Sequence, residues 1–371
     1  MNQKKDRMVA LDVIRCVALL GVICVHFFLN TGFYGIPVTG GQMLGMVILR
    51  DGFLICVPLF LMLSGYLIRN KEPVKAYYLK IVRILYVYFA ASAVCAVYRM
   101  VFLRDGMTIV DAVLGVLSFE TVPYSWYIEM YIGLFLLIPF LNTMYDGLKS
   151  RKNRQALILT LLFLSAAPSV MNIYRLDGWD WWLMPSKNSE YLQILPAWWT
   201  SLTPLLCFFL GRYFRDYPIS LSCGKLAALY LAVMCCSGAF SFYRSYGSVY
   251  IWGDWQSACS FFHIVQTCLV FCFFLKLSYE KLPPFIAKVF AVISDLSLGA
   301  YLTSYVFDGS FYAKLNNYVS TMQGKMAWFP IMVLSVLAGS LACSFLIHLS
   351  YSVILKKWIS RLEYRANAER S

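Results

Sequence analysis

The stretch "LDVIRCVALLGVICVHFF", residues 11–28, reads as a membrane-spanning helix, yet it carries Asp12, Arg15 and His26 in an otherwise apolar run. A span needs about 20 mostly apolar residues to cross the hydrocarbon core. An ionisable side chain at depth costs about 2.5–3.5 kcal/mol on insertion scales, so three of them in one span need a physical reason. Arg15 and His26 are eleven residues apart, close to three whole turns at about 3.6 residues per turn, which places both on one helix face. With a rise of about 1.5 Å per residue they stand roughly 16 Å apart along the axis. One stripe therefore joins the two sides of the bilayer.

Outward from this helix the same apolar character continues. The chain has 371 residues, 60% of them hydrophobic and 14% charged, and a mean hydropathy of +0.65, too apolar for a soluble domain. Ten segments have the composition of spans, near 8–30, 46–68, 80–102, 126–145, 155–174, 197–214, 225–243, 257–277, 286–307 and 327–355. Lipid offers backbone N–H and C=O groups no partner, so such segments are helices. The sequence thus predicts an all-α polytopic bundle of about ten helices. The longest loop, roughly 175–196, is too short to bury a core of its own, and 1–371 reads as a single domain.

Lys and Arg are retained on the cytoplasmic side of a membrane, and 23 of the 32 basic residues fall in segments on the side of the N-terminus. Both termini are expected to be cytoplasmic, in the plasma (inner) membrane. The net charge of +13 follows from this asymmetry and from anionic headgroups, with no role for nucleic acid. The first helix lacks a small-residue cleavage site and is a retained span rather than a signal peptide. The twelve cysteines form no CxxC pair and read as packing residues. No Walker loop, GxGxxG or HExxH is present, and no metal is expected.

Segment 103–125 is only partly apolar and reads as a short surface or re-entrant helix. Nine of the ten tryptophans fall on the expected outer side, leaving Trp358 inside. Two explanations stand, an interfacial aromatic belt or an outer cleft that stacks a sugar. Arg15 has two as well. Asp12, at i−3, pairs with it and locks the bundle, or its planar fork binds an anionic group arriving from the cytoplasm. His26 is either a satisfied histidine at a helix end or a base that accepts and returns a proton near neutral pH. His263 and His348 are weaker candidates.

The run 11–28 resembles the first helix of the integral-membrane acyltransferase family 3, which is marked by an Arg, ten residues and a His. "VPLFLMLSGYLI" (57–68) resembles the family's Phe…Ser-Gly-Tyr/Phe motif and "YYLKIVRILYVY" (77–88) the basic start of its third helix. "WYIEMYIGLFLLIPFLN" (126–142) resembles its Trp…Leu…Pro helix, and "LGAYLTSYVF" (298–307) is similar to a later one. The resemblance implies transfer of an acyl group, commonly acetyl, from cytoplasmic acyl-CoA to a hydroxyl or amine, often of a cell-envelope molecule such as a saccharide. In that frame Arg15, Lys80 and Arg83 hold the CoA phosphates, and His26 is the general base. Trp126, Glu129 and Ser64 are substrate contacts, Glu129 with a second option of orienting His26. Ser64-Gly65 is expected to serve close helix packing rather than a covalent acyl-enzyme.

Two departures from the family pattern stand out. Tyr131, Ile132 and Gly133 replace the Glu-Glu-Gln run of many polysaccharide-modifying members, leaving Glu129 as the carboxylate of that helix. Ser304 stands where many members have His. Buried charges on a stripe also mark translocation paths, so a transporter or flippase of small molecules or amino acids is the rival reading. A non-catalytic scaffold is the third.

Overall fold

The computed structural model describes residues 8–69, 71–176, 178–187 and 191–368. The terminal cations Lys4, Lys5, Arg7 and Arg370 lie outside the described residues. In chain order the helices are α1 (Val9–Asn30), α2 (Gly40–Phe53), α3 (Cys56–Leu67), α4 (Lys75–Tyr78), α5 (Ile81–Val97), α6 (Ile109–Leu117), α7 (Trp126–Gly147), α8 (Arg151–Leu161) and α9 (Pro168–Met171). They continue as α10 (Asp180–Leu183), α11 (Thr203–Asp216), α12 (Cys223–Ser245), α13 (Phe261–Lys276), α14 (Pro284–Tyr318), α15 (Met322–Ala327), α16 (Phe329–Ile354) and α17 (Lys356–Ala368). Among the described residues the extended pairings are two isolated bridges, Pro37 with Val249 and Val38 with Tyr246.

Eight helices among the described residues are long and apolar enough to cross a membrane. The protein is an all-helical, polytopic membrane protein. Eight of the ten expected segments thus become spans, and the other two form shorter helices. In 155–174, α8 gives way to a π-helical turn over Leu162–Ala166, followed by Pro168, which lacks the N–H a continuous helix needs. In 197–214, α11 is 14 residues long, about 21 Å against a core of about 30 Å.

Proline also breaks the second span. Pro58 offers no N–H to the carbonyl four residues back, and the helix restarts as α3 after Leu54 and Ile55. Pro139 inside α7 leaves the Phe135 carbonyl without its backbone donor, and the Tyr77 hydroxyl donates to that oxygen at 2.6 Å. This is how lipid-embedded helices tolerate proline. Several helices start on a Ser or Thr whose hydroxyl accepts the N3 amide: Ser150, Ser222, Ser260 and Thr321. The expected helix within 103–125 is α6, closed by a reciprocal capping box between Thr108 and Asp111.

The chain divides into two compact units, Met1–Leu67 with Lys149–Ser294, and Ile68–Leu148 with Asp295–Ser371. In the first, α1 packs on α2, α3 and α13, while α12 packs on α2 and α13. In the second, α5 packs on α16, where the Tyr86 hydroxyl donates to Ser350 at 2.8 Å, and Tyr124 donates to the Asp308 carboxylate at 2.9 Å. All twelve cysteines are free, with Cys24, Cys56, Cys95, Cys207 and Cys272 buried, as packing residues are.

Candidate active site

Helix α1 is unbroken from Val9 to Asn30, so the Arg15 and His26 side chains do leave one face. Arg15 is half-buried in the second turn and donates from Nη1 to Ser294 Oγ at 2.9 Å. His26 is buried near the other end, where the Asn30 amide donates back to its carbonyl at 2.8 Å and closes the helix. Asp12 is buried as well.

Ser64 donates its hydroxyl to the Phe60 carbonyl of its own helix at 3.2 Å, and its neighbour Gly65 explains why the pair is there. A Cβ on Gly65 would stand 1.9 Å from the Phe208 carbonyl oxygen of α11, and one on Gly211 would stand 2.0 Å from the Met62 oxygen of α3. Each helix meets the other's backbone at a glycine, the close approach that small residues allow in membranes.

The same unit holds a second group of buried ionisable residues. Arg50 and Asp51, adjacent on α2, are both buried and point to different surroundings. Arg50 donates to the hydroxyls of Tyr34 and Tyr250, each at 3.0 Å, and its guanidinium lies over the rings of Tyr34, Tyr250 and Trp252 at 5.2–5.6 Å. Such a cage offsets part of the cost of removing a cation from water. Burial pushes the Tyr250 hydroxyl up from its ordinary range, so it stays protonated and accepts from Arg50 as a neutral group.

Asp51 faces α12 and α13. One carboxylate oxygen accepts from Ser237 and from the Gln266 amide at 3.4 Å, while the other lies 3.2 Å from His263 Nε2. The opposite ring nitrogen, Nδ1, is 2.7 Å from the Ser257 carbonyl and 2.8 Å from Ser260 Oγ. A carbonyl only accepts, so Nδ1 carries a hydrogen. Nε2 then meets the carboxylate favourably only with a second proton between them. Ser260, His263 and Asp51 have the order of a nucleophile triad, but an Nδ1 that already holds hydrogen cannot take the Ser260 proton. The arrangement is a buried carboxylate–imidazole pair tying α2 to α13, with Ser237 bringing in α12.

In the other unit, Lys80 and Arg83 are exposed at the start of α5, and Trp126 and Glu129 are exposed in the first turn of α7, three residues apart on one face. Ser304 is buried and donates to the Tyr301 carbonyl at 2.8 Å, a helix-internal bond. Of the tryptophans expected on the outer side, Trp181 and Trp255 are core residues, lying 4.3 and 5.5 Å from the buried Arg244 guanidinium. Neither belongs to a belt or an open sugar cleft. Among the described residues, no group of three or more His, Cys, Asp and Glu side chains is placed to hold a metal.

A family model for the acyltransferase domain matches residues 8–349. The chain belongs to that family. No curated protein and no solved structure gives a match to it. The matched stretch covers α1 to most of α16 and so runs through both units. Membership makes the protein an acyltransferase with an acyl donor and an acceptor.

Within this acyltransferase the structure keeps Arg15, His26 and Ser64 in one unit, and Lys80, Arg83, Trp126 and Glu129 in the other. What the sequence reading overlooked is the partner of His263. Arg50 and Asp51 lie inside the expected span 46–68, near its start. The helix begins six residues earlier, at Gly40, which places both in its last turn. Two adjacent charges in an apolar run were the available signal.

Proposed function

We propose that this acyltransferase moves an acyl group, with acetyl the best-fitting case, from cytoplasmic acyl-CoA to a hydroxyl or amine of a cell-envelope saccharide, lipid or small molecule. The observation that carries the reading is α1 itself, one continuous helix with a half-buried arginine and a buried histidine on one face roughly 16 Å apart. In this reading the N-terminus is cytoplasmic and the membrane is the plasma membrane. Arg15 is the anion anchor nearer the cytoplasm, and Lys80 and Arg83 are donor-phosphate contacts in their own unit. Trp126 and Glu129 contact the acceptor. Both units act as a single domain.

His26 acts as general base. Its imidazole takes the proton of the acceptor hydroxyl as the oxygen attacks the thioester carbonyl. The tetrahedral intermediate then collapses, the C–S bond breaks, and the departing thiolate recovers that proton from the imidazolium. Ester and CoA thiol are the products, with no net proton released. The test is thiol release from acetyl-CoA by the reconstituted protein, with envelope extracts as acceptor. His26→Ala is expected to lower the rate by 10²-fold or more, within the range of about 10²–10⁴ for a lost general base. A variant at wild-type rate would sink the assignment. Arg15→Lys keeps the charge and loses the fork, and a higher KM for acetyl-CoA is expected.

One feature favours the transporter reading. The span Gly40–Leu67 is discontinuous at Leu54 and Ile55, and interrupted helices frame transport sites. Movement of a labelled small molecule into proteoliposomes without thiol release would decide for it.

A further inference from the structure

The last helix carries a charge pattern that acyl transfer leaves unused. Helix α16 ends at Ile354, and Leu355 alone separates it from α17. Val353 and Ile354 are exposed apolar residues, as side chains facing lipid are. The next turn changes character abruptly. Lys356, Lys357, Arg361 and Arg365 are all exposed, and the sequence of α17 holds one acidic residue, Glu363.

The cations are ordered along the helix. Lys357, Arg361 and Arg365 recur every four residues and so form one stripe. Ile359 is buried and Leu362 half-buried, so the apolar side of α17 is already in use, and the helix packs on α4 of its own unit. Trp358 is exposed beside the stripe. A basic, amphipathic helix with an exposed indole, starting where an apolar span stops, has the composition of an interfacial element.

We infer that α17 lies at the membrane surface and binds anionic lipid headgroups through Lys357, Arg361 and Arg365, with Trp358 set among the upper acyl chains. Two observations choose this occupant. The stripe is complementary in charge to phosphate-bearing headgroups, and it continues directly from the lipid-exposed end of α16. Each cation near an anionic surface strengthens binding roughly fivefold, so three of them outweigh a single screened contact.

The experiment uses the full chain in vesicles of phosphatidylcholine, alone or with about a third phosphatidylglycerol, each containing the same fraction of chain-brominated lipid. Quenching assigned to Trp358 is the difference between the wild type and Trp358→Phe. It is expected to be at least threefold stronger with phosphatidylglycerol and to fall as salt shortens the screening length. Replacing Lys357, Arg361 and Arg365 together by Gln should abolish the lipid preference while the melting temperature stays unchanged. Equal quenching in both vesicles would overturn the inference, as would a preference that survives the triple replacement. A Trp358 signal that answers to added CoA in neutral vesicles and not to phosphatidylglycerol would assign the stripe to the donor nucleotide instead, and also overturn it. Acyl transfer is not read, so this outcome is independent of the role given to His26.

Discussion

Replacing Gly65 by Ala should separate α3 from α11, and the size of the effect follows from the contact. The added Cβ would stand 1.9 Å from the Phe208 carbonyl oxygen, whereas ordinary contact begins at 3.4 Å. The helices must therefore part by about 1.5 Å, and the obstacle is backbone rather than a side chain that can turn away. Overpacking of this kind costs about 1–3 kcal/mol, and a rigid carbonyl places it at the upper end. Alanine's better helix propensity offsets about 0.5–1 kcal/mol. A net loss of about 2 kcal/mol corresponds to a fall of roughly 2–3 °C in melting temperature for a chain of 371 residues. Gly45 is the control, a glycine of α2 with nothing within 4 Å of its Cβ position, where Ala should stabilise slightly. A thiol-reactive dye suits the measurement, because buried Cys56 on α3 and Cys207 on α11 become reactive as the protein unfolds. If Gly65→Ala melted with Gly45→Ala, at or above the wild type, the close approach would not be a determinant of the fold.

Three further outcomes can be measured. Ser64→Ala should keep acyl transfer close to the wild-type rate, since the hydroxyl bonds within its own helix, and a loss of orders of magnitude would instead indicate a covalent acyl-serine. His263→Ala should destabilise the protein by about 1–3 kcal/mol, the cost of leaving a buried carboxylate oxygen without its partner, and Asp51→Asn in that background should restore part of it. A strictly additive double-mutant cycle in unfolding experiments would remove the Asp51–His263 contact from the account. On acidification the segment around α6 should loosen first. The Arg99 side chain holds the Asp105 carboxyl below its ordinary range, and the Thr108 hydroxyl and amide do the same for Asp111. Carboxyls lowered in the folded state stabilise it above their unfolded pKa and lose that contribution as pH falls through the lower, folded value. Faster hydrogen exchange in 105–117 below the ordinary carboxylate range, absent when Asp105 and Asp111 are both replaced by Asn, is the expected signature. Uniform exchange across that range would refute it.

The legible part of this protein was the part that repeats a rule along the chain. Apolar runs bounded by loops gave eight spans correctly because lipid admits helices alone, and the eleven-residue interval from Arg15 to His26 gave a shared face because α1 has no break. Two expected spans fell short, one at the π-helical turn before Pro168 and one because α11 starts only at Thr203, and neither effect alters mean hydropathy much. The site around Asp51 was hidden for a different reason. Its carboxylate, Ser237, His263 and Gln266 come from three helices far apart in sequence, and pairing between helices leaves no interval to count. A local trace existed all the same. Arg50 and Asp51 are adjacent charges, and neighbours on a helix point about 100° apart, so they cannot neutralise each other by simple contact. Each therefore needs its own compensation from another helix or loop. The aromatic cage around Arg50 and the imidazole facing Asp51 are those two compensations. Two neighbouring charges in a span thus call for two distant sets of partners, and His263, a weaker candidate in the sequence, was one of them.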